Sequence, residues 1–74
     1  MTDNSNDVYE VFARIDMDGA LSHLGCVHAP NDELAKSQGR MTYSERDWVE
    51  LCVVRREHLL PVITRQAHKV VGFA

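Results

Sequence analysis

The chain is poor in cysteine, proline and glycine, with two, two and four of each in 74 residues. Cys26 and Cys52 can make one bridge at most, which excludes the disulfide framework that staples small secreted domains. There is no Cys-x-x-Cys. His23 and His28 stand five positions apart on one expected strand, where a period of two sends them to opposite faces unless Gly25 bulges. No metal is therefore expected. The glycines at 19, 25, 39 and 72 are scattered and form no phosphate-cradling loop. The residue three beyond each glutamate is Ala13, Lys36, Trp48, Val53 or Leu60, so the Glu-x-x-His pair of a carboxylate-bridged di-iron centre is missing. No apolar run approaches the ~20 residues of a bilayer-crossing helix, and the polar opening Met1 to Asp7 is no signal peptide. A cytoplasmic protein with no membrane partner is expected. Positive charge is also short: eight Lys and Arg stand against eleven Asp and Glu, for a net charge of −3. Nucleic-acid modules concentrate positive charge to release counterions from phosphates, so no nucleic-acid partner is expected.

What remains is globular. Hydrophobic residues make up 45% and charged residues 26%, and the length allows one small domain. Such a chain buries only about 60% of the surface its unfolded form exposes, which leaves a marginal core. Self-association or docking on a larger partner is the expected source of further stability. The paired Arg55 and Arg56 read as a solvated strand end, and a second basic cluster runs from Arg65 to Lys69.

Residues 1–7 read as a disordered lead-in, and 8–74 as a single small α+β domain. Val8 to Ile15 alternates and is rich in β-branched and aromatic residues. It sets Tyr9, Val11, Ala13 and Ile15 on one face, and Val8, Glu10, Phe12 and Arg14 on the other. Asp16-Met17-Asp18-Gly19 supplies turn chemistry, and Leu21 to Ala29 returns as the second strand of a hairpin. Gly25 within it marks a bulge or a close approach by another group. Asn31 is placed to cap a helix whose first turn carries Asp32 and Glu33, with Leu34, Ala35, Gln38, Met41 and Thr42 as its apolar-leaning stripe. Gly39 inside it permits close packing on a sheet. Trp48 to Arg55 reads as a third strand, Glu57 to Val62 as a short helical turn stopped by Pro61, and Lys69 to Phe73 as a possible fourth strand. The expected architecture is strand, strand, helix, strand: a small antiparallel or mixed sheet with a helix on one face. Its uncovered face and free edges call for a partner.

Reactive constellations are sparse. Cys26 and His28 share a strand face, but two-residue spacing holds them roughly 6–7 Å apart, too far for a direct hydrogen bond. No catalytic residue and no cofactor is expected. The alternative is a small dimeric enzyme or ligand-binding domain in which His23 or His28 acts as acid or base within a pocket closed by paired sheets. The aromatics Tyr9, Phe12, Tyr43, Trp48 and Phe73 include several that so thin a domain is not expected to bury fully, which favours a protein interface.

Tyr9-Glu10-Val11-Phe12-Ala13-Arg14, followed by His23-Leu24-Gly25-Cys26-Val27-His28-Ala29, resembles the opening hairpin of the B subunit of phenylacetyl-CoA epoxidase, the multicomponent oxygenase of phenylacetate degradation. That family carries a Tyr-Glu-Val-Phe-x-Arg strand, a His-x-Gly-x-x-His-Ala strand and a helix that begins with acidic residues. A Tyr and an Arg near the helix end are matched here by Tyr43 and Arg46, and a Trp with several valines by Trp48 to Val54. Where the family often has two arginines after the Tyr, this chain has Ser44-Glu45-Arg46. The resemblance implies a non-catalytic accessory subunit that helps assemble a large di-iron oxygenase subunit and its supporting relative; a homo-oligomer is expected besides, from the small core and free sheet edges. It points to Tyr9, Phe12, Arg14, His23, Gly25, His28, Arg46 and Trp48 as interface or fold-defining positions.

Overall fold

The computed structural model describes residues 6–65. Three strands, β1 (Asp7–Arg14), β2 (Ser22–Ala29) and β3 (Glu50–Arg55), form an antiparallel sheet in the order β2-β1-β3. Helix α1 (Asp32–Thr42) packs on one face, and a 3-10 turn, Arg56–His58, follows β3. This is the expected α+β arrangement, with an antiparallel sheet. The expected strand at Lys69 to Phe73 and the basic cluster beyond Arg65 lie outside the described residues.

The central strand owes its place to its composition. β1 alternates so that Tyr9, Val11 and Ala13 face the helix, and all three are buried. Val27 and Ala29 of β2 and Ala35 of α1 complete this core, with Leu24, Tyr43, Leu51 and Val53 packed around it. Tyr9 is its largest member. Its hydroxyl donates to Asp32 Oδ1 at 2.8 Å, and the Arg55 guanidinium lies over its ring, 5.3 Å from the centroid. Burial first, and then the hydrogen bond to Asp32, push the phenol above its ordinary pKa, so it stays neutral and donates.

α1 starts where Asn31 accepts from the Leu34 N–H at 2.9 Å, and Asp32 and Glu33 complement the positive end of its dipole. It ends with the Tyr43 N–H donating to the Gly39 carbonyl. The residues it buries are Ala35 and Gly39. Of the expected stripe, Leu34 and Met41 stay exposed, because two small residues one turn apart bring the helix backbone close to β3 and leave the longer side chains at its flanks.

Several boundaries move: β1 ends at Arg14, short of the exposed Ile15, and β2 begins at Ser22 instead of Leu21. Asp7, read as part of the lead-in, already belongs to β1, opposite Ala29. β3 begins at Glu50 instead of Trp48, and the helical turn forms at Arg56–His58, ending before Leu59.

The β1–β2 register contains one irregularity with consequences. Val11 sits opposite Gly25 but Phe12 opposite His23, so Leu24 is left without a partner as a bulge. The extra residue restores parity: His23, Cys26 and His28 all lie on the face away from the helix, opposite Phe12, Glu10 and Val8. Gly25 adopts φ +156°, and a Cβ there would collide with the Tyr43 hydroxyl. Both readings of this glycine, bulge and close approach, therefore hold at once.

Candidate functional site: the open face of the sheet

The face opposite α1 is built from Val8, Glu10, Phe12 and Arg14 of β1, with His23, Cys26 and His28 on one side and Glu50, Cys52 and Val54 on the other. At its centre Glu10 is buried, an uncommon state for a carboxylate, and it is paired twice. Arg56 Nε lies 2.5 Å from one oxygen and His23 Nε2 2.6 Å from the other. The hydrogen bond from Arg56, and then that with His23, hold the Glu10 carboxyl below its usual range. The Phe12 ring lies beside this group, tilted against the His23 ring with its centroid 5.1 Å away.

A second network closes the edge of the domain near the chain's β1 start. Arg55 reaches Asp32 Oδ1 at 3.2 Å and pairs with Asp7. Hydrogen bonds from Tyr9 and then Arg55 lower the Asp32 pKa. The adjacent arginines expected at a solvated strand end are thus both engaged by carboxylates, Arg55 with Asp7 and Asp32, Arg56 with Glu10.

Both carboxylates make stability depend on pH in the same direction. A folded-state pKa below the unfolded value contributes stability that is fully present above the ordinary carboxylate pKa of about 4 and is lost as pH falls through the lowered folded value. Thermal melts are expected to be flat above that ordinary value and to fall steeply below it. Glu10→Gln is expected to lower the plateau and flatten the acid limb; an acid limb as steep as the wild type's would show that Glu10 does not drive it.

The remaining residues singled out by sequence hold distinct places. Arg14 Nε lies 2.8 Å from Glu50 Oε1, and its Nη1 donates to the Gly19 carbonyl at 3.1 Å, tying the hairpin turn to β3. Trp48 precedes β3, donates from Nε1 to the Tyr43 carbonyl at 2.7 Å, and has the Arg46 guanidinium 6.0 Å from its ring. His28 is exposed at the far end of β2. The face therefore unites Phe12, Arg14, His23 and His28, whereas Tyr9 is in the core, Gly25 lies beneath Tyr43, and Arg46 and Trp48 sit at the approach to β3.

Sequence reasoning missed Glu10 and Arg56 as a pair. They lie 46 residues apart, and only the strand order brings them together. It also missed an apolar arm after the 3-10 turn, in which Leu59, Leu60, Val62 and Ile63 are 44%, 87%, 94% and 66% exposed. Four aliphatics in five positions around Pro61 were a legible signal, hidden by reading the stretch as a helical turn.

Around the domain lie a groove of about 520 Å³ between α1 and β3, and smaller hollows beside Asp7 and beside Trp48. Neither His23 nor His28 lines any of them. Both histidines face outward from the open side of the sheet, opposite Phe12 and Val8. Among the described residues no three His, Cys, Asp or Glu side chains are grouped to hold a metal ion, and no helix is long and apolar enough to cross a membrane.

No curated protein and no solved structure matches the chain. The family model described as Phenylacetic acid degradation B matches residues 5–71, continuing through the arm beyond the Val8 to Val54 stretch on which the motif resemblance rests. A match of that extent, over a hairpin, helix and strand in the order the motifs require, settles the family: the chain belongs to the phenylacetic acid degradation B family, which places it in the degradation of phenylacetic acid.

Proposed function

We propose that this chain is a non-catalytic accessory subunit of the multicomponent di-iron oxygenase that acts on phenylacetyl-CoA, and that it helps to assemble the large catalytic and supporting subunits. The observation that carries this reading is the uncovered arm Leu59 to Ile63. Aliphatic side chains so exposed, outside the core of a domain already short of buried surface, gain when a partner covers them. Pro61 restricts the arm's backbone before it binds and lowers the ordering cost. The open face, with half-buried Phe12 beside the Glu10 network, offers a second contact of mixed character. A homo-oligomer in the cytoplasm belongs to the same proposal, with Phe12, Arg14, His23, His28, Arg46 and Trp48 as its candidate interface positions and Tyr9 and Gly25 as fold-defining ones.

Co-purification with the large oxygenase subunits tests it. The wild-type chain is expected to join them, and Leu60→Ser with Val62→Ser, which touches no core residue, is expected to weaken that association at least about tenfold while far-UV circular dichroism stays unchanged. A wild-type chain that never joins them, tagged at either end, would rule the assignment out.

A further inference from the structure

The two edges of this sheet differ. β2 is blunted by the Leu24 bulge and the positive-φ Gly25, devices that twist a strand away from would-be partners. β3 has none of them. Its register with β1 runs unbroken from Glu50 opposite Arg14 to Arg55 opposite Tyr9. Its sequence Glu-Leu-Cys-Val-Val-Arg contains no proline, glycine or lysine, and its four central residues are only half-buried. Among the described residues β3 is an edge strand, so it presents backbone N–H and C=O groups outward at alternate positions.

That edge forms one wall of the 520 Å³ groove, where Leu51 and Val53 face Glu33, Lys36, Ser37 and Arg40 of α1 across the buried Gly39. The floor is apolar and the helix wall is charged. Glu33 is neutralised by Lys36 at 3.2 Å, whereas Arg40 makes no ion pair among the described residues. The free charge in the groove is therefore positive, in a chain whose net charge is −3.

We propose that β3 accepts an extended segment of a partner protein as a fourth strand, one bearing apolar side chains towards Leu51 and Val53 and a carboxylate towards Arg40. The backbone ladder supplies affinity, and the alternation of side chains, with Arg40 reading the acid, supplies selectivity. The accessory-subunit reading supplies the identity of that partner, an oxygenase subunit, and on this point the inference rests on it.

Hydrogen exchange of the wild-type chain, alone and with the large oxygenase subunits, separates the possibilities. Strand addition is expected to slow exchange of outward-facing β3 amides in the complex at least about tenfold, because those groups gain partners only then. Lys36→Gln with Arg40→Glu, both at exposed positions, is expected to weaken capture at least tenfold with the fold intact by circular dichroism. If the complex forms but β3 amides are unprotected, or the double variant binds as the wild type does, strand addition is overturned and the accessory role stands. If no complex forms, the accessory role itself fails and this inference falls with it.

Discussion

Gly25→Ala is expected to destabilise the domain by about 2–4 kcal/mol, the sum of a backbone forced into a positive φ and a methyl driven into an occupied site. The backbone at this position has φ +156°, where an L side chain is strained, and the methyl would overlap the Tyr43 hydroxyl. A chain of this length holds about 4–11 kcal/mol in total, so the loss is a large part of the whole. The two contributions can be told apart. Tyr43→Phe removes only the colliding oxygen, since the next ring atom, Cζ, lies at 3.4 Å from the added methyl. Gly25→Ala/Tyr43→Phe is expected to recover the packing share and to leave the backbone share. Urea denaturation of the four variants of this cycle measures the coupling. A double variant no more stable than Gly25→Ala would mean that Tyr43 moves aside freely and that the backbone term accounts for the entire effect.

Tyr9→Ala is expected to abolish the cooperative unfolding transition at 25 °C. Truncating a buried aromatic is among the costliest changes a core can suffer, and in this core the remaining buried side chains are valines and alanines, too small to close over the gap. The change also strips Asp32 of the donor at 2.8 Å and removes the ring beneath Arg55, so the damage spreads to the edge where Asp7, Asp32 and Arg55 meet. Tyr9→Phe keeps the volume and is expected to keep the transition, with a small loss of Tm. Near-UV circular dichroism during thermal unfolding distinguishes the two; a folded Tyr9→Ala would show that the core can collapse around a much smaller residue.

Much of this fold was legible in the sequence because its signals are local. Alternation marked β1 and separated Tyr9, Val11 and Ala13 from Glu10, Phe12 and Arg14, as the sheet does. Asn31 with Asp32 and Glu33 marked the helix start. Gly25 announced an irregularity, and with it came the condition under which His23 and His28 would share a face, a condition the Leu24 bulge meets. The misreadings belong to features that local patterns do not encode. Leu34 and Met41 looked like a buried stripe because periodicity shows which residues align, not which side turns inward; Ala35 and Gly39 won through closeness of approach. The pairing of Glu10 with Arg56 follows from β3 lying beside β1, and no spacing rule reveals it. The motif resemblance reached the family, and the residues it pointed to divide between the core, the open face and the approach to β3.

Because β1 is flanked by β2 on one side and β3 on the other, a growing polypeptide emerging from the ribosome holds a hairpin and a helix long before its first strand is fully matched. Val11 waits for Val53, Tyr9 for Arg55, and Glu10 for Arg56, so the middle of the sheet is finished by almost the last of the described segments to appear. Premature termination anywhere before Arg56 would release a fragment whose central strand has one naked flank, a substrate for chaperones and proteases instead of a smaller version of the domain.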